Sequence, residues 1–180
     1  MLGFLLLCTT RFYGKCYTIS MKHIATGIMA VSAIGALMYA GSSSKDRTFP
    51  PVGWGVANSA ITQSNIQDTV CNPHWSTSSI RPSSSYTTAL KIKQLKEMGY
   101  TDLKTADDEE DHIISLELGG SPTDPKNLWP EPYAGELGAR QKDKVENYLH
   151  RQVCANKMTL EEAQKEISTD WVAVYRQNKL

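Results

Sequence analysis

The chain has no excess of charge of either sign: 19 lysines and arginines balance 19 aspartates and glutamates over 180 residues. Proteins that grip nucleic acid along its phosphates usually carry a basic excess, so the bulk composition argues against an extended basic footprint. The balance is uneven. Residues 1–40 hold Arg11, Lys15 and Lys22 and no acid, so the remainder carries 16 cations against 19 acids, a net of −3. Cysteine is also scarce. Cys8 and Cys16 lie in the first 40 residues, and only Cys71 and Cys154 lie beyond them. A single Cys-x2-His, Cys71 to His74, has no second close pair, which weakens a zinc site built from Cys71, Cys154, His74 and His150. Disorder is argued against too, because 41% hydrophobic and 21% charged residues are globular values.

What is present at the start is an address. Met21-Lys22-His23 precedes Ile24 to Ala40, a run without a formal charge that ends in small residues near Ala40-Gly41-Ser42. A basic region, an apolar region and small residues describe a secretory signal peptide. Met21 then becomes the alternative start to Met1. The competing expectation is a membrane anchor through residues 24–40, a length at the lower limit for spanning. Either places the rest outside the cytoplasm, in the periplasm or extracellular space. In an exported domain two cysteines point to a Cys71–Cys154 disulfide. Closing a loop of more than 80 residues contributes about 4–5 kcal/mol on the chain-entropy model.

Residues 41–65 read as a linker and a loosely attached arm, with Pro50-Pro51 and Gly53-Trp54-Gly55. The domain is expected over 66–180. Leu90, Leu95 and Met98 predict a helix over 87–98, with Lys91, Lys93 and Lys96 on its other faces and Gly99 placed to end it. Arg81 and Lys91 are the candidates for phosphate contact. A second helix is expected over 138–155, where Val145, Leu149 and Val153 form an apolar strip beside a column of Asp143, Glu146 and His150. Thr159-Leu160-Glu161-Glu162 is a capping box. It opens a third helix over 159–175 with the stripe Ala163, Ile167, Trp171 and Val174.

Between the first two helices stands Glu109-Glu110-Asp111-His112-Ile113-Ile114-Ser115-Leu116-Glu117-Leu118-Gly119-Gly120, then Pro125-Lys126-Asn127-Leu128-Trp129-Pro130. The pattern predicts a strand, a wide turn and a returning strand, with His112 and Asn127 across from each other. Asp-His-Ile-Ile, Leu-Gly-Gly and Asn-Leu together resemble the first two thirds of the motif of the HNH endonucleases, the ββα-metal or His-Me finger nucleases. The resemblance covers residues 109–150. It implies that His112 is the general base toward the attacking water, that Asn127 orients its imidazole, and that Asp111 is a metal ligand on the other side of the strand end. A histidine base suits phosphodiester hydrolysis near neutral pH, and a divalent cation would neutralise charge on the phosphorane.

The chain departs from the family's pattern after Asn127. Its next histidine, His150, comes 23 residues later, and paired Cys-x2-Cys clips are absent. Glu146 and His150, with Asp143 third, are the expected completion of the metal shell. The fold expected is α+β: a ββα-metal hairpin-helix unit with flanking packing helices and one disulfide. The function expected is metal-dependent cleavage of nucleic acid, DNA ahead of RNA. Magnesium or manganese suits the oxygen ligands, and a histidine in the shell would admit zinc or nickel. A non-catalytic domain of the same fold, or a metallohydrolase of another phosphate ester, are the alternatives. No protein partner is identifiable.

Overall fold

The computed structural model describes residues 5–7, 17–19 and 49–180. It divides into two units, Met1–Ser43 and Ser44–Leu180. In the first, Leu5–Leu7 (β1) pairs antiparallel with Tyr17–Ile19 (β2), Leu5 opposite Ile19. The run 24–40, and with it the expected signal or anchor, lies outside the described residues. Among the described residues no helix is long and apolar enough to cross a membrane.

The second unit is mixed α and β. Helix Ser84–Glu97 (α1) comes first, then strands Asp108–His112 (β3) and Leu128–Pro132 (β4), then helices Ala139–Cys154 (α2) and Leu160–Gln177 (α3). Strands β3 and β4 form an antiparallel pair in which Asp108 faces Pro132, Glu110 faces Pro130 and His112 faces Leu128. Side chains alternate across a strand, so Asp108, Glu110 and His112 share one face. Glu109 and Asp111 share the other with Trp129 and Glu131.

Helices α1 and α3 begin where a side chain satisfies one of the first amides. Ser83 caps α1 by accepting from Tyr86 N, so the helix starts at Ser84, three residues ahead of the expected start. Thr159 and Glu162 form both halves of the capping box at α3. Helix α3 breaks at Asp170, whose φ is −157° and whose Oδ1 accepts from Ala173 N at 2.9 Å, so it caps the stretch that follows. The α3 stripe is buried as expected, with Ala163, Ile167, Trp171 and Val174 against Val145, Leu149 and Val153 of α2. Side chains of this kind each contribute about 1.5–3 kcal/mol when fully buried. Cys71 and Cys154 are joined, Cα atoms 5.4 Å apart, which ties the turn after Val70 to the last residue of α2.

Residues 55–65 are not a loosely attached arm. Ser121 N donates to Val56 O at 2.8 Å, Asn58 N donates to Gly119 O at 2.8 Å, and Ala57 bridges Gly120. Ile61 and Ile66 enter the core. Backbone pairing and apolar burial together hold this segment, so the domain starts ahead of residue 66. The pairing explains Leu118-Gly119-Gly120. Gly119 has φ +71°, and a Cβ on Gly120 would lie 1.8 Å from Ile114 O, so neither position admits a side chain at rest.

Candidate active site

The wide turn between β3 and β4 is fastened by Asn127, which is completely buried. Its Oδ1 accepts from Ile114 N at 3.0 Å and from Val56 N at 3.1 Å. Its Nδ2 donates to Ile114 O at 3.0 Å and to Ser121 O at 2.9 Å. Two donors and two acceptor positions are all that an amide offers, and backbone takes every one. Asn127 therefore does not hold the His112 imidazole, contrary to expectation. It is adjacent to the crossing point, since Ile113 N donates to Asn127 O at 2.8 Å, but its side chain shapes the loop instead.

The imidazole of His112 is held by that loop. Its Nε2 lies 3.1 Å from Pro122 O, and a carbonyl only accepts, so Nε2 carries the proton and Nδ1 keeps the lone pair. The ring is 3% exposed. Burial holds its pKa below the ordinary histidine range, opposed by the Pro122 bond and by Asp111. His112 is thus neutral near pH 7 with one defined basic nitrogen. Arg81, exposed, acts electrostatically on His112, Glu109 and Asp143.

On the opposite face Asp111 meets a residue that the motif did not single out. Lys142, 1% exposed, donates from Nζ to Asp111 Oδ2 at 2.6 Å, to His112 O at 2.8 Å and to Glu146 Oε1 at 2.5 Å. Burial alone would depress a lysine, but Asp111, Glu146 and Glu131 outweigh it and hold Lys142 well above its ordinary value. Burial alone would raise Asp111, but the charge of Lys142 holds it below the usual carboxylate range. Glu131, wholly buried, is pushed well above that range by burial, with Lys142 opposing. Asp111 therefore keeps the charge and Glu131 the proton. Burial also raises Glu146, to about 8, and raises Asp143 and Glu109 at the rim.

Of the four expected metal ligands, the fold brings Asp111 and Glu146 together, and it does so around an ammonium group. Asp143 lies within electrostatic reach of Asp111 on the exposed side. His150 is directed elsewhere, with Nε2 at 2.8 Å from Val70 O and Nδ1 at 3.9 Å from Glu117 Oε2. A divalent cation shared by Asp111 and Glu146 would have to displace Nζ of a buried lysine. The donor set as folded does not fit such an ion. The expected phosphate contact by Lys91 also fails. That side chain is buried, and its Nζ donates to Thr105 O at 2.8 Å and Asp108 O at 2.6 Å. His74 is exposed.

Lys142 and Glu131 were the residues that motif reasoning passed over. Both left a trace. Lys142 stands three and seven residues before Val145 and Leu149, in the apolar strip where a charge must find a partner. Glu131 shares a face with Trp129 in a strand that is buried at all its positions. The chain matches no family model, no curated protein and no solved structure.

Proposed function

We propose that this chain is a hydrolase that cuts phosphodiester bonds of nucleic acid, DNA in the first instance, with His112 as the general base. One observation carries the proposal: the Nε2 proton of His112 is committed to Pro122 O, which leaves a neutral imidazole with its lone pair on Nδ1. A base of that kind takes a proton from water as the water attacks phosphorus. Arg81 is an exposed cation that acts electrostatically on His112, and it would hold the phosphate. Asn127 acts on the base only through the loop that carries Pro122. Asp111 and Glu146 are committed to Lys142, so no step is assigned to a metal ion. The resemblance to the HNH nucleases in residues 109–150 supports the hydrolase over other chemistries.

A second possibility, a binding or structural domain without catalysis, is favoured by the same commitments of Asn127 and Lys142 to holding the fold. Plasmid nicking by the oxidised chain, with and without EDTA, separates the two. His112→Ala should cut about 10²–10⁴-fold more slowly, the usual worth of a general base. His112→Gln, which keeps a donor for Pro122 O but no base, should be as slow. A parent chain that does not nick DNA, or a folded His112→Gln that cuts at the parent's rate, would overturn the hydrolase. Loss of cutting in EDTA would mean that a cation enters by displacing Lys142.

A further inference from the structure

Far along α2 from Lys142 lies a second cluster of reactive groups, which the hydrolase does not use. The Sγ atoms of Cys71 and Cys154 and an imidazole nitrogen of His150 all lie within 4.8 Å of one another. This is the one such metal-capable trio among the described residues. Its placement follows from the fold. His150 and Cys154 stand one turn apart on α2, and Cys71 follows Val70, whose carbonyl is 2.8 Å from His150 Nε2. That bond puts the imidazole proton on Nε2 and leaves the Nδ1 lone pair available as a donor. Glu117 stands beside the trio without belonging to it, with Oε2 at 3.9 Å from His150 Nδ1 and with Oε1 buried and unpartnered.

We propose that this cluster is a redox-exchangeable metal site: a disulfide when oxidised, and a zinc-class site when reduced. Two thiolates and one imidazole are the donor types that such ions prefer, with Glu117 or a water as the fourth ligand. The exchange balances. A dithiol breaks the Cys71–Cys154 bond, supplies two electrons and two protons, and becomes a disulfide itself. Each cysteine thiol then releases its proton as the ion binds, so a doubly charged cation meets two negative sulfurs. The sulfurs must separate to about 3.8 Å for Zn–S bonds of about 2.3 Å in a tetrahedron. Cys154 is the last residue of α2 and Cys71 lies in a turn, so both can move without disturbing an element's interior. Residues 71 and 154 remain tied in either state, which would keep the fold clamped in reducing and oxidising surroundings alike. None of this depends on the hydrolase being correct.

The test uses the full chain carrying Cys8→Ser and Cys16→Ser, so that only the two relevant thiols remain. The chain is reduced with dithiothreitol, desalted without oxygen and titrated with Co²⁺, then with Zn²⁺. The expected result is one equivalent of cobalt showing sulfur-to-metal charge-transfer bands and tetrahedral ligand-field bands. Two protons should be released, and zinc should displace the cobalt. The oxidised chain should show none of these bands. His150→Ala should weaken zinc binding at least about 10-fold, and bound zinc should raise the Tm of the reduced parent. Helix content by circular dichroism guards against binding by an unfolded dithiol. Absence of the cobalt bands, or His150→Ala binding as tightly as the parent, would overturn the site. So would a reduced chain that stays unfolded with zinc.

Discussion

Two lysines are buried against opposite faces of one hairpin, and they do different work. Lys91 on α1 ends on two backbone carbonyls, those of Thr105 and Asp108. Lys142 on α2 ends on two carboxyl groups and one carbonyl. The acids nearby respond accordingly. Beside Lys91, both oxygens of Glu110 are buried without a hydrogen-bond partner, and burial pushes its pKa up to about 8 despite the lysine's charge. Beside Lys142, Glu131 and Glu146 are raised as well, but Asp111 stays below the usual carboxylate range. A buried lysine spent on carbonyls leaves its neighbouring acid to discharge by protonation. One spent on a carboxylate keeps an ionised acid where water is scarce. The hairpin thus has a structural face, which ends at His112, and a face on which one acid, Asp111, stays ionised against Lys142.

The largest test of this difference is Lys142→Met. Removing one partner of a buried ion pair leaves the other charge uncompensated and costs about 3–5 kcal/mol. Urea unfolding should show that loss as a lower midpoint. Adding Asp111→Asn should recover part of it, because the stranded charge is then gone. A midpoint unchanged by Lys142→Met, or a double variant less stable than the single one, would mean that the ammonium is not compensating Asp111.

Lys91→Met should cost less, about 1–3 kcal/mol, the penalty for leaving buried acceptors without a donor. The comparison predicts more than a smaller number. Neutralising an acid cannot restore a donor to Thr105 O and Asp108 O, so Glu110→Gln should not rescue Lys91→Met in the way that Asp111→Asn rescues Lys142→Met. Equal rescue on both faces would erase the distinction drawn between them.

What the sequence made legible was local. Thr159 and Glu162 announce their helix start because a capping box closes within three residues. Gly119-Gly120 and the β-branched Ile113-Ile114 announce a turn and a strand end. Cys71 and Cys154 could be paired because they are the only cysteines beyond the first 40 residues. What stayed hidden was long-range. Lys142 finds Asp111 across 31 residues, and Asn127 finds Val56 across 71, in a segment whose prolines and glycines resemble a linker. Residue type alone named Asp111, Glu146 and His150 as ligands, and only the packing of α2 decides that a lysine reaches the first two. Spacing had placed His112 and Asn127 across from each other, and they are nearly so. It had no means of showing that the asparagine's four hydrogen bonds all go to backbone.

The smallest effect is a slope, and it isolates the structural face. Glu110 has its folded pKa raised from 4.5 to about 8, so between those values the folded chain binds more protons than the unfolded one. Stability must then fall as pH rises across that window, by at most about 1.4 kcal/mol per pH unit from this group. Glu146, also raised to about 8, acts in the same direction. His112, held below its ordinary value of 6.5, acts in the opposite direction through and below that pH. Both remain in Glu110→Gln, so subtracting its pH profile from the parent's leaves the Glu110 contribution. The variant should match or trail the parent near pH 5, because the buried amide finds no better partners than the acid had. It should gain steadily toward pH 8, where the parent has to deprotonate a carboxyl whose oxygens have no hydrogen-bond donor. Urea midpoints at half-unit steps give the curve. Parallel profiles for parent and variant would mean that Glu110 is ionised at little cost, and that Lys91 serves it much as Lys142 serves Asp111.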